Sequence, residues 1–205
     1  MMRFYISKLK LISLITTVTI IFLFSLDQTS WAAIIICPIG ATVCNGTSTD
    51  DIIEGTTANA EIHGLGGNDY IYGYRYGANY IFGEDGNDIL IGGIYNDGLY
   101  GGKGDDKYDG QDSSDTIIED RPGSKYTISN DVISGGLGGD WIEAGGGADT
   151  INGGPDNDYI LPNPFHRDFS YDFVDCGSGI DHVLDFNSGD RETAAYCENI
   201  SNNDG

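Results

Sequence analysis

The residues best suited to chemistry in this chain are aspartates that recur in register with glycines. In the stretch GEDGNDILIGGIYNDGLYGGKGDDKYDG (83–110), Asp88, Asp97 and Asp106 lie nine residues apart, and each nine-residue unit begins with glycine. Carboxylates that repetition brings together repel one another unless a cation lies between them. Calcium accepts carboxylate and backbone carbonyl oxygens in one flexible shell, so this pattern predicts calcium binding.

The same frame extends over residues 46–118 and resumes over 126–161, which gives twelve units, one of them ten residues long (73–82). An aspartate fills the sixth position of ten units. These candidate calcium ligands are Asp51, Asp69, Asp88, Asp97, Asp106, Asp115, Asp131, Asp140, Asp149 and Asp158. The alternative for any single acidic turn is a solvated loop, and repetition in register with glycine argues against it.

The nine-residue period excludes an amphipathic helix, because nine is not a multiple of 3.6 residues and glycine is costly in a helix. One apolar residue per unit suits a three-residue strand whose middle side chain points inward. The eighth position supplies that residue in every unit: Ile53, Ile62, Ile71, Ile81, Leu90, Leu99, Tyr108, Ile117, Ile133, Ile142, Ile151 and Ile160. The six preceding residues, rich in Gly, Asn and Asp, form the turn.

Two units then make one flattened coil, and stacked coils make two parallel sheets with the apolar column between them. Several units, GEDGNDILI, GGKGDDKYD and GGLGGDWIE among them, resemble the RTX nonapeptide repeat of hemolysin-type calcium-binding proteins. The segment VDCGSGIDHV (174–183) looks like a further relic of this repeat. The resemblance implies an all-β, right-handed parallel β-roll with calcium between turns of successive coils on the same edge.

Because consecutive units lie on opposite edges, the candidate ligands can be sorted into pairs. Units starting at 46, 64, 83 and 101 share a first edge, and those starting at 55, 73, 92 and 110 share a second. The second edge is degenerate, since its first two sixth positions are Ala60 and Asn79. We expect calcium to favour the first edge. The predicted pairs are Asp51 with Asp69, Asp69 with Asp88, Asp88 with Asp106, Asp97 with Asp115, Asp131 with Asp149, and Asp140 with Asp158.

The formal net charge of −22 over 205 residues limits the partners of this chain. Such an excess repels nucleic acid phosphates and anionic membrane surfaces, which argues against both. It also repels itself, so the chain stays extended unless cations or burial offset the repulsion.

The N-terminus has the features of an export signal. Arg3, Lys8 and Lys10 precede the apolar run LISLITTVTIIFLFSL (11–26), and small residues follow near Ala32. We therefore expect residues 1–32 to be a signal peptide and the protein to be secreted, with a retained anchor as the alternative. The predicted organisation is a signal (1–32), an N-terminal cap (33–45), repeat block 1 (46–118), a linker (119–125), repeat block 2 (126–161) and a C-terminal cap (162–205).

Four cysteines flank the repeats. Export permits disulfides, and the spacing favours Cys37 with Cys44 and Cys176 with Cys197 among three connectivities. A zinc site is a weaker reading, because the chain has no close Cys-x-x-Cys pair.

Several aromatic residues occupy outward strand positions. Such residues stabilise a sheet by cross-strand contact or form a binding face. The candidate face consists of Tyr70, Tyr72, Tyr80, Phe82 and Tyr100. A cell-surface adhesin or carbohydrate-binding protein is therefore the alternative function. We expect no enzyme, because no H-E-x-x-H, G-x-S-x-G or phosphate-loop motif occurs, although a hydrolase with an unrecognised site is a third class.

Overall fold

The computed structural model describes residues 19–22, 32–119, 128–162, 170–185, 193–195, 197 and 199–202. Most of the predicted signal, most of the predicted linker and part of the C-terminal cap lie outside these residues. In the described residues the fold is an all-β parallel solenoid, as predicted, and contains no helix. Accordingly, no described helix is long and apolar enough to span a membrane.

The described strands, numbered in chain order, form two sheets. Sheet A contains β1 (Thr19–Phe22), β2 (Ala33–Ile36), β4 (Asp51–Glu54), β6 (Tyr70–Tyr72), β8 (Ile89–Gly93), β10 (Lys107–Gln111), β12 (Val132–Ser134), β14 (Thr150–Pro155), β16 (Phe173–Ser178) and β18 (Thr193–Ala195). Sheet B contains β3 (Val43–Asn45), β5 (Glu61–Gly66), β7 (Tyr80–Asp85), β9 (Gly98–Lys103), β11 (Thr116–Ile118), β13 (Trp141–Glu143), β15 (Tyr159–Leu161), β17 (His182–Asp185) and β19 (Asn199–Asn202). The chain alternates between the sheets from β2 to β19, so each coil adds one strand to each.

The register of the strands places equivalent repeat positions side by side. Ile71 pairs with Leu90 in sheet A, and Ile81 pairs with Leu99 in sheet B. All twelve eighth-position side chains are buried, with at most 3% of any of them exposed. The predicted apolar column is therefore confirmed as the core.

The sheets continue beyond the repeats at both ends. β2 and β3 belong to the segment predicted as a cap, and β16 to β19 extend the sheets past residue 161. β1, inside the segment predicted as a signal, pairs antiparallel with β2, whereas the other pairings are parallel. Across the predicted linker, β10 pairs directly with β12 and β11 with β13, so the two repeat blocks share both sheets.

Two disulfides lie near the two ends of the core. Cys37 bonds Cys44 with a Cα–Cα distance of 5.6 Å, and Cys176 bonds Cys197 with 5.2 Å. Both distances are usual for a disulfide. The predicted connectivity is confirmed.

Candidate metal centre

One column of aspartates follows the first edge, where turns lead from sheet B into sheet A. Each member lies where a turn meets a strand of sheet A, which is the sixth position of its unit. The backbone N–H of Asp51 donates to Oδ1 of Asp69 over 2.7 Å, and that of Asp69 donates to Oδ1 of Asp88 over 2.8 Å. This bond repeats from coil to coil. The first column contains Asp51, Asp69, Asp88, Asp106, Asp131, Asp149 and Asp172.

A second column follows the opposite edge with the same bond. The backbone N–H of Asp97 donates to Oδ1 of Asp115 over 2.7 Å, and that of Asp140 donates to Oδ1 of Asp158 over 2.8 Å. The second column contains Asn79, Asp97, Asp115, Asp140, Asp158 and Asp181. All six pairs predicted from the sequence are therefore neighbours in one of the two columns.

Both columns continue from repeat block 1 to repeat block 2 without interruption. Asp106 bonds Asp131, and Asp115 bonds Asp140, although 25 rather than 18 residues separate the partners. These two pairs were not predicted from the sequence, because the nine-residue frame breaks between their members. The seven extra residues therefore leave the stacking of the coils unchanged.

The second carboxylate oxygen distinguishes most of these aspartates from ordinary buried ones. Each Oδ1 accepts a backbone hydrogen bond, but Oδ2 is buried without any hydrogen-bond partner in nine of them. These are Asp69, Asp88, Asp97, Asp106, Asp115, Asp140, Asp149, Asp158 and Asp181. A buried, unsatisfied carboxylate oxygen costs free energy, so each of these atoms requires a partner.

Two of the ten predicted ligands have a second oxygen that is already engaged. Oδ2 of Asp51 accepts the backbone N–H of Thr47 over 2.6 Å, and Oδ2 of Asp131 lies 3.3 Å from the hydroxyl oxygen of Ser129, whose single proton it shares with Glu119. The predicted pair of Asp51 and Asp69 therefore offers one unsatisfied oxygen instead of two. The first edge is thus best suited to a cation between Asp69 and Asp106, where every aspartate has an unsatisfied Oδ2.

Burial without a counterion raises the pKa of the eight predicted ligands that have an unsatisfied Oδ2. Loss of hydration is the largest cause in every case, hydrogen bonds from backbone N–H groups lower the pKa in part, and the charge of other carboxylates raises it further in most cases. The pKa is raised to about 6 for Asp88, Asp97 and Asp140, to about 7 for Asp69 and Asp158, to about 8 for Asp106 and Asp115, and to about 9 for Asp149.

Ten of the twelve units begin with glycine, and in eight of them this glycine lies against Oδ2 of the aspartate in the same unit. A Cβ atom added at Gly92 would lie 2.9 Å from Oδ2 of Asp97 and 2.7 Å from the carbonyl oxygen of Gly110. Any side chain would therefore fill the space that these two oxygens border. Glycine at this position therefore lets a carboxylate oxygen and a backbone carbonyl oxygen approach each other, although the unit of Asp149 begins with Ala144 instead.

Among the described residues, no cluster of three or more His, Cys, Asp or Glu side chains is arranged to hold a metal ion. We call the position between two neighbouring members of a column an interval. A cation at an interval therefore meets two carboxylates and must complete its coordination shell with backbone carbonyl oxygens. Calcium accepts this donor set, whereas zinc prefers sulfur and nitrogen ligands. The unsatisfied carboxylate oxygens, together with nearby backbone carbonyl oxygens such as that of Gly110, are donors of the kind that calcium prefers.

The start of the second column is built differently. Oδ1 of Asn79 accepts the backbone N–H of Tyr74 over 2.7 Å, and its Nδ2 donates to the carbonyl oxygen of Thr57 over 2.8 Å. The amide thus satisfies both of its polar atoms inside the protein. Because Ala60 also lacks a carboxylate, this turn holds its shape without a cation, as the degenerate sequence predicts.

An outer ladder of hydrogen bonds, which was not predicted from the sequence, follows the fifth position of the units on the first edge. The backbone N–H of Asn87 donates to Oδ1 of Asn68 over 2.8 Å, and that of Asp105 donates to Oδ1 of Asn87 over 3.1 Å. The recurrence of Asn and Asp at this position is a signal that could have revealed the ladder. Its side chains are those of Asp50, Asn68, Asn87, Asp105 and Asn130.

Glu119, assigned to the linker from the sequence, is fully buried near the first column. Its Oε1 accepts a hydrogen bond from the hydroxyl of Ser129, and its Oε2 accepts the backbone N–H of Gly146 over 3.2 Å. Its charge also raises the pKa of Asp106 and Asp149. The middle of the first edge is therefore the most acidic part of the column.

The outward aromatic residues do not form one face. Tyr70 and Tyr72 lie on sheet A, whereas Tyr80, Phe82 and Tyr100 lie on sheet B. Phe82 is only 7% exposed and stacks against Tyr100 with ring centroids 4.9 Å apart. The predicted single face is wrong, because consecutive units supply opposite sheets and the tyrosines come from both kinds of unit.

A comparison with curated proteins finds no match. The family model for the RTX calcium-binding nonapeptide repeat matches four segments, 45–75, 76–99, 82–117 and 127–160. Together these segments cover more than half of the chain and include all ten predicted aspartate ligands. The two columns and this match agree, and the chain belongs to the family of RTX calcium-binding nonapeptide repeat proteins.

Proposed function

We propose that this protein is an exported calcium-binding β-roll that folds when it binds extracellular calcium. The observation that carries this proposal is the row of buried, unsatisfied Oδ2 atoms in both columns. A polypeptide does not retain so many desolvated carboxylates at neutral pH without a compensating charge.

The best calcium-binding intervals have an unsatisfied Oδ2 on both of their aspartates. Two lie on the first edge, Asp69 with Asp88 and Asp88 with Asp106, and four lie on the second edge, Asp97 with Asp115, Asp115 with Asp140, Asp140 with Asp158, and Asp158 with Asp181. These oxygens therefore do not support the expectation that calcium favours the first edge. Backbone carbonyl oxygens near the first-position glycines, such as that of Gly110, complete the donor set. Bound calcium supplies positive charge that neutralises the paired carboxylates.

Folding is coupled to binding because the columns exist only when the coils are stacked. A ligand that binds the folded state alone stabilises it in proportion to the logarithm of its concentration over Kd. Extracellular calcium modules typically bind at about 10⁻⁴ to 10⁻³ M. The chain then stays unfolded before export and folds outside, which agrees with the signal-like N-terminus.

The role we propose is structural or mediates an interaction, and it is not enzymatic. In the buried carboxylates, Oδ1 accepts a backbone hydrogen bond and Oδ2 is the proposed calcium ligand. They are therefore not available as catalytic groups. The negative charge of the chain further disfavours nucleic acid and anionic membranes as partners.

The test is a calcium titration of the whole chain followed by far-ultraviolet circular dichroism, with chelator reversal and a magnesium control. We expect a cooperative, reversible gain of β signal with calcium and a much weaker response to magnesium. A β signal of full size in the presence of chelator at pH 8 contradicts the proposal.

A further inference from the structure

The ten-residue unit GYRYGANYIF (73–82) builds a groove that calcium does not explain. Its turn places Tyr74, Arg75 and Tyr76 in a row, at the part of the second edge where Asn79 replaces aspartate. Beside this turn lies an open cavity of about 540 Å³. We call it the tyrosine groove, and its lining includes Glu54, Thr56, Tyr72, Tyr74, Arg75 and Tyr76.

The walls of the groove come from adjacent coils. Glu54 at the end of β4 pairs in register with Tyr72 at the end of β6, and the turn after each strand continues the groove. Tyr72 packs against Tyr70 with ring centroids 4.6 Å apart, which supports its position. The groove therefore lies where sheet A meets the second edge.

The turn that carries the aromatic side chains is held without metal. The side chain of Asn79 bonds both Tyr74 and Thr57, and the backbone N–H of Gly77 donates to the carbonyl oxygen of Tyr74 over 3.2 Å. The rings of Tyr74 and Tyr76 meet edge to face at 6.0 Å. These contacts prearrange the groove, which reduces the entropy cost of binding a ligand.

The polar groups of the groove define the ligand. The guanidinium of Arg75 lies 5.8 Å from the ring of Tyr76, and within the described part of the chain neither Arg75 nor Glu54 forms an ion pair. Arg75 and Glu54 both line the groove, and one guanidinium with one carboxylate suits a ligand that is neutral and rich in hydroxyl groups. An anionic ligand would be repelled by Glu54 and by the net charge of −22.

The exposed aromatic rings of the groove provide surfaces on which a sugar ring can pack. Tyr72 is 40% exposed and Tyr76 is 62% exposed, so their faces can contact a ligand. A sugar ring has an apolar face of C–H groups that packs on an aromatic ring, while its hydroxyls bond to Arg and Glu. Concave sites of this size, with aromatic walls and few polar groups, are typical ligand sites. We propose that the tyrosine groove binds a neutral oligosaccharide.

The test is isothermal titration calorimetry of the whole chain in saturating calcium against cellopentaose, maltopentaose, xylopentaose, mannopentaose and chitopentaose. Sialyllactose serves as the anionic probe. We expect at least one neutral pentasaccharide to bind in one site per chain. Binding of sialyllactose alone, or of none of the six probes, overturns the proposal.

Variants then locate the site. Tyr76→Ala should weaken binding of the neutral ligand at least tenfold, and Arg75→Gln should weaken it several-fold. Tyr171→Ala is the matched control, since Tyr171 is 59% exposed and lies outside the groove. Loss of binding in Tyr171→Ala equal to that in Tyr76→Ala, or unchanged binding in both groove variants, places the ligand elsewhere and overturns the proposal.

Sugar binding by the tyrosine groove can be tested separately from calcium-driven folding. The calcium titration of each variant reports folding, while calorimetry with sugar reports the groove. Since Tyr76 is largely exposed, Tyr76→Ala should retain the calcium response of the parent chain.

Discussion

Asp88 donates its backbone N–H to Oδ1 of Asp106 over 2.7 Å, while Oδ2 of Asp106 is buried without a hydrogen-bond partner. The same relationship recurs in both columns, so stacking of the coils itself creates the unsatisfied oxygens. Because folding buries these carboxylates without a partner, the folded state needs a cation or a proton to neutralise their charge.

Neutralising one aspartate of a column should weaken calcium binding and stabilise the metal-free fold. For Asp106→Asn we expect the calcium midpoint to rise about tenfold, or about 1.4 kcal/mol, because one of two carboxylates at each adjoining interval is lost. Calcium-dependent circular dichroism measures the midpoint. The control is Asp109→Asn, which removes the same charge from an exposed strand position. An equal shift in both variants would show that only net charge matters.

Metal-free stability should fall as pH rises. The eight aspartates have folded-state pKa values of about 6 to 9, above the unfolded value of about 3.9. Protons are therefore bound more tightly by the folded chain, so their stabilisation is complete below about pH 4 and disappears as pH rises through 6 to 9. Circular dichroism in chelator should show β signal at acidic pH that is lost toward pH 9. A metal-free signal that grows with pH would contradict these shifts.

Calcium should remove this pH dependence near neutrality, because it replaces the protons on the paired carboxylates. The same pH series in saturating calcium is the matched measurement. We expect the β signal to persist through pH 8 and the calcium midpoint to rise on acidification.

Filling the space beside Oδ2 should weaken calcium binding without changing charge. A Cβ at Gly92 would lie 2.9 Å from Oδ2 of Asp97, so Gly92→Ala should raise the calcium midpoint at least fivefold. The control is Gly66→Ala, whose Cβ would approach no atom closer than 3.6 Å. Equal calcium midpoints in the two variants would show that Gly92 is not part of a calcium site.

Restoring a carboxylate to the metal-free turn should add a calcium interval. Asn79→Asp replaces the amide donor to the Thr57 carbonyl with an oxygen and pairs a new carboxylate with Asp97. We expect one more calcium per chain by calorimetry, together with lower stability in chelator. The variant Asn79→Ala lacks both oxygen and amide and should lower stability without adding calcium. Unchanged stoichiometry in Asn79→Asp would show that Thr57 and its neighbours do not supply a calcium site.

The sequence alone determined the architecture of this protein. A nine-residue period with one aliphatic residue, such as Ile71 or Leu90, dictates short strands, alternating sheets and a core one side chain thick, because side-chain direction in a strand follows position. Because consecutive nine-residue units alternate between the two edges, the period also predicted which edge each aspartate lies on and which aspartates lie in neighbouring coils. The short cysteine spacings indicated the disulfide connectivity.

The tertiary structure alone decided which oxygens remain available. Asp51 and Asp69 occupy the same repeat position, yet Thr47 satisfies one and nothing satisfies the other. The continuity of the columns from Asp106 to Asp131 also depends on how the coils stack across an irregular insertion. Repeat position specifies where a side chain points, but hydrogen-bond saturation depends on neighbours that are 18 or more residues away, and those neighbours are set only when the coils pack.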